Sequence, residues 1–128
     1  MTADAFRRLA RSLPHATEHD HMGHPDFRAG GKIFATLGYP DERWGTVMLS
    51  AEEQQEFVEA HPRVFAPATG AWGRHGTTCV SLRAATKRVV LPALQAAALR
   101  ASLKGLKPGA RRRTTRRRER IAPVPPSR

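Results

Sequence analysis

The chain is poor in cysteine, in aromatic residues, in acids and in continuous apolar sequence, and each shortage excludes something. Its one cysteine, Cys79, has no partner within the 128 residues, so neither an internal disulfide nor a cysteine-rich zinc module is available. No apolar run approaches the roughly 20 residues that a membrane helix needs. Met1–Pro14 spreads three arginines among apolar residues without a continuous apolar stretch before a cleavage site, so it does not read as a secretory signal, and a cytoplasmic location is expected. There is no glycine-rich phosphate loop, no G-x-S-x-G and no His/carboxylate pair at a catalytic spacing, so neither enzymatic activity nor a cofactor is expected. Eleven acids face 22 lysines and arginines, a formal net charge of +11.

That charge is not spread evenly. Residues 1–103 hold 12 lysines and arginines against 10 acids, net +2, whereas residues 104–128 hold 10 against one, net +9. The chain therefore divides into a nearly neutral domain, 1–103, and a basic tail, 104–128. The tail has few bulky aliphatics and three prolines after Ala122, too little apolar surface to offset its ordering entropy, and disorder is expected in isolation. Like charges at i, i+4, such as Arg112 and Arg116, oppose a helix there unless a polyanion neutralises them.

In the domain, Thr2 is placed to cap a helix in which Phe6, Leu9, Ala10 and Leu13 recur at helical spacing, with Arg7, Arg8 and Arg11 on the solvated side. From Ala16 to Leu49 short segments are broken by Gly23-His24-Pro25, Gly30-Gly31 and Tyr39-Pro40-Asp41-Glu42, the pattern of an antiparallel meander. Alternation in Lys32–Leu37 puts Ile33, Ala35 and Leu37 on one face and Lys32, Phe34 and Thr36 on the other. Ser50 and Glu53 form a capping box opening a helix whose buried stripe is Phe57, Val58 and Ala60. Val64–Pro67 and Thr77–Leu82 read as a hairpin whose Gly-rich loop, Ala68–Gly76, projects like a wing. A last helix spans about Thr86–Leu103, with Pro92 imposing a kink or a start near Leu91. The order predicts an α+β domain, a mostly antiparallel sheet covered by about three helices, followed by the disordered basic tail.

Phe6–Pro14 (FRRLARSLP), His21–Leu37 (HMGHPDFRAGGKIFATL) and Leu49–Gly76 (LSAEEQQEFVEAHPRVFAPATGAWGRHG), followed by a strand and a helix, resemble the MmcQ/YjbR family of small bacterial proteins. The resemblance covers almost all of the domain and implies a CyaY-like α+β fold and a DNA-binding role. In two places this chain departs from the expected pattern, with Met48 where a lysine is expected and Thr77 where an aromatic is expected. The arginine-rich tail lies outside the resemblance.

The strongest candidate partner is nucleic acid, DNA with low sequence specificity. Arg111, Arg112, Arg113, Arg116, Arg117, Arg118 and Arg120 offer guanidinium forks that pair bidentately with phosphate oxygens and displace condensed counterions. In the domain, Lys32, Arg74 and His75 are candidates if the loop acts as a wing, though exposed basic residues also serve as edge protection. The competing reading is a protein- or small-ligand-binding module with a solubilising tail, its specificity in a cleft around His24, Phe34 and Trp72. His15, His19, His21 and His24 cluster in sequence, but at no recognised zinc spacing, so no metal site is assigned.

Overall fold

The computed structural model describes residues 1–21 and 23–105, with only the backbone of His21; every expectation for Arg111–Arg120 lies outside them. Thr2 does cap α1 (Ala3–Arg11), its hydroxyl accepting from the Ala5 N–H at 3.0 Å. Phe6 and Ala10 are buried, and the basic side of the helix is not simply solvated: Arg7 and Arg11 converge on Glu18 of the first strand, at 2.7 and 3.7 Å.

Strands β1 (Thr17–His21), β2 (His24–Ala29), β3 (Lys32–Leu37) and β4 (Trp44–Met48) form the meander, and β5 (Phe65–Pro67) and β6 (Thr77–Ser81) complete a six-stranded antiparallel sheet in the order β1-β2-β3-β4-β6-β5. Helix α2 (Ala51–Ala60) starts at the capping box, with Glu53 N–H donating to Ser50 Oγ at 3.1 Å and Ser50 N–H to Glu53 Oε1 at 2.9 Å. It lies over β5, with Phe57 edge-on to Phe65 at 5.4 Å; Phe57 and Val58 are only half-buried and Ala60 is exposed, because the helix covers the sheet's margin. Helix α4 (Lys87–Gly105) starts at Lys87 rather than near Leu91 and runs through Pro92, its Val90, Ala93, Leu94, Ala97, Ala98 and Ala101 buried against the sheet. That apolar contact outweighs the one intrahelical bond that Pro92 cannot make. At its far end a Cβ on Gly105 would fall on the Gly30 carbonyl, so the helix terminus touches the β2–β3 turn.

Two corrections bear on the site. Between Phe27 and Arg28 the β2–β3 register skips one residue of β3, pairing Phe27 with Ala35 and Arg28 with Ile33. This bulge lets Phe34 and Ala35 both bury on the helix side and leaves Ile33 and Thr36 on the other face, so simple alternation fails at Phe34. The Ala68–Gly76 segment is no projecting wing, since it folds into a short helix, α3 (Gly70–Arg74), a fourth helix beyond the expected three. Gln54 of α2 ties it down, its Nε2 donating to the carbonyls of Gly73 and Thr77, both at 2.9 Å. No helix among the described residues is long and apolar enough to cross a membrane.

Candidate functional site, a cleft on the open sheet face

α1 and α4 cover one face of the sheet. Residues of the opposite face, together with α3 and the β3–β4 loop, form a cleft of about 650 Å³. Its floor is polar: Thr36 of β3 and the Thr46 opposite it on β4 share a hydroxyl–hydroxyl hydrogen bond of 2.6 Å, and Thr77 donates to the Met48 sulfur at 3.5 Å. Asp26, only 2 % exposed, accepts from Arg28 Nε at 2.9 Å, and the same hydrogen bond pushes the Arg28 pKa up. The walls are apolar. Ile33, Tyr39 and Trp72, exposed by 39, 43 and 64 %, face the cleft, and the Tyr39 and Trp72 rings meet at 6.2 Å with a tilt of 57°.

Backbone geometry fixes this rim. Gly38 has φ +91°, and a Cβ there would lie 2.6 Å from His24 Nδ1, so the imidazole rests on the glycine at the cleft's edge. The following turn is held by Asp41, whose carboxylate accepts from the Arg43 side chain at 2.8 Å and the Arg43 N–H at 2.8 Å; the side-chain bond foremost lowers its pKa to about 2.

Of the expected cleft residues, His24 and Trp72 come together here. Phe34 does not: the bulge turns it into the core, fully buried beneath the sheet. Tyr39, Ile33, Asp26, Thr36, Thr46 and Thr77 are not singled out as cleft residues by sequence; the one signal for any of them is Thr46 and Met48 alternating with Val47 in β4, with Thr36 in the neighbouring strand. Lys32, Arg74 and His75 are all exposed, with no side-chain hydrogen bond or ion pair among the described residues, and none lines the cleft. Cys79 is buried in β6, and that burial raises its thiol pKa. No group of three or more His, Cys, Asp or Glu among the described residues could hold a metal ion.

The geometry suits non-covalent recognition of a ligand that is apolar on its faces and polar at one edge. Comparison with known proteins places the fold. The crystal structure of Deinococcus radiodurans protein DR2400, a DUF419 domain, is similar over 84 % of this chain and 83 % of that one, with a TM-score of 0.68 at 21 % identity. No curated protein matches the chain significantly. The YjbR family model matches residues 11–104, from the last turn of α1 to the end of α4, and the chain belongs to the YjbR family.

Proposed function

We propose that the protein is a non-catalytic nucleic-acid-binding protein of the YjbR type that holds phosphates mainly through its arginine-rich C-terminal segment. One observation carries this reading, the segregation of charge. Residues 1–105 contain 13 lysines and arginines against 10 acids, net +3, and Arg7, Arg11, Arg28 and Arg43 among them are already paired with carboxylates. Residues 106–128 contain nine against one, net +8, with seven arginines between positions 111 and 120. A neutral fold joined to a dense guanidinium cluster fits a partner whose charge repeats along its length. The apolar cleft favours the competing reading, a ligand- or protein-binding module with a solubilising tail.

Fluorescence anisotropy with a labelled DNA duplex at several salt concentrations separates the two, comparing the full chain with a variant carrying glutamine at Arg111, Arg112, Arg113, Arg116, Arg117, Arg118 and Arg120. If about six arginines contact phosphates, log affinity falls against log salt with a slope near −5. The variant is expected to lose most of its affinity and most of the slope. Unchanged binding by the variant refutes the reading.

A further inference from the structure

We propose that the open-face cleft accepts an unpaired nucleobase, so that the protein prefers single-stranded to duplex nucleic acid. This rests on the nucleic-acid reading above and names its target. Single exposed hydrophobic side chains are ordinary, but a group of them on one surface marks a binding site, and three of the five large exposed ones in the described residues, Ile33, Tyr39 and Trp72, line this one cleft. Two are aromatic, carried by separate elements, and at 6.2 Å with a 57° tilt they are not closed into a parallel stack. Their exposed ring surfaces in the cleft lining are available to stack on a third planar group.

The floor argues against a hydrocarbon ligand. Whichever of Thr36 and Thr46 donates in their shared hydrogen bond, the hydrogen of the other has no acceptor among the described residues, and Thr46 is 2 % exposed. Thr77 has only a weak sulfur acceptor. These hydroxyls lie at the cleft floor, where a ligand edge can bring an acceptor to the spare hydrogen. Nucleobases have two apolar faces and an edge of acceptors and donors, and a cleft of about 650 Å³ has room for one with its sugar. A base stacked and paired in a duplex cannot enter.

Charge is compatible with this occupant. Asp26, the one carboxylate in the lining, is buried and neutralised by Arg28.

The test is the affinity of the full chain for labelled dT15 and for an abasic strand of the same length, with equal phosphates and no bases. Base stacking on an exposed aromatic predicts about tenfold tighter binding of dT15. Trp72→Ala should remove that ratio and leave the salt slope unchanged, while Trp72→Phe, which keeps a ring, restores part of it. Trp72 is largely exposed, and thermal melting confirms that each variant folds. Equal affinity for the two strands overturns the proposal, and so does a tenfold ratio that Trp72→Ala leaves intact. The seven-glutamine variant tests the other reading independently: weakening both strands alike supports phosphate contacts by the segment, whereas dT15 binding that needs no arginine refutes those contacts and leaves the cleft standing. Binding of neither strand overturns both.

Discussion

Gln54 decides where Trp72 sits, and replacing it tests how the cleft is assembled. Its Nε2 donates to two carbonyls that bracket the end of α3 and the start of β6. Each of these carbonyls has a second donor, since Gly76 N–H reaches Gly73 O at 3.1 Å and Ala68 N–H reaches Thr77 O at 3.0 Å. Truncation therefore orphans neither, and Gln54→Ala should cost the net worth of two hydrogen bonds, about 2 kcal/mol. For a domain of this size that lowers the melting temperature by roughly 10 °C. Gln54→Glu is the sharper probe. A carboxylate beside two carbonyl oxygens cannot donate and is repelled, so at neutral pH this variant should be less stable than the alanine one. Its neutral form can donate once, which raises the folded-state pKa above the usual glutamate value near 4.3. A raised pKa means that the recovered stability is present below the ordinary glutamate range and is lost as pH rises through the folded value. Urea unfolding from pH 3 to 7 reads this. An alanine variant within 0.5 kcal/mol of the parent, or a glutamate variant whose pH profile runs parallel to the parent's, refutes the tether.

Two further expectations concern the core and the rim. Phe6 is fully buried, edge-on to Phe27 at 6.4 Å and so close to Gly45 that a Cβ there would lie 3.1 Å from its ring; Phe6→Ala should cost about 3–5 kcal/mol in denaturant unfolding, and a loss below 1 kcal/mol would show that α1 is not packed as described. Asp41 titrates at about 2, below its ordinary unfolded value near 3.9, so its pairing with Arg43 adds stability above pH 4 that is lost as pH falls through 2. Arg43→Gln should move the Asp41 carboxyl titration, followed by NMR, part of the way back up, since the backbone N–H bond remains; an unmoved titration contradicts the assigned cause.

Elements whose determinants are local were legible in the sequence. The Thr2 cap, the Ser50–Glu53 box and the glycine turns of the meander each act within a few residues, and the structure has all of them. What was not legible depends on partners far away in sequence. Ala68–Gly76 reads as an open loop because of its three glycines, Gly70, Gly73 and Gly76, but Gln54, 19 residues before Gly73, supplies the bond that folds it back as α3. Arg7 and Arg11 read as solvated because Glu18 lies on the next element. The cleft was half visible: His24 and Trp72 were named from their turn and loop contexts, whereas Tyr39, Thr36 and Thr46 meet them only once the strands are in register.

The loss of Phe34 from the cleft follows from the same register, and it explains why the cleft has a polar floor. Strict alternation from Lys32 would have placed Phe34 beside Thr36 on the open face and Ile33 and Ala35 beneath. The extra residue at Phe34 turns that large ring into the α4-covered core and brings Ile33 to the open face in its place, at the wall. A phenylalanine over the Thr36–Thr46 pair would cover those hydroxyls. With its ring withdrawn, the floor keeps its unused hydrogen, and the exposed aromatic surface comes instead from Tyr39 and Trp72, whose positions are set by the Gly38 turn and the Gln54 tether. The sheet thus separates its two faces, with the apolar core on the helix-covered side and the cleft on the other. For that reason Phe6→Ala should destabilise the domain without altering base preference in the folded fraction, whereas Trp72→Ala should do the reverse.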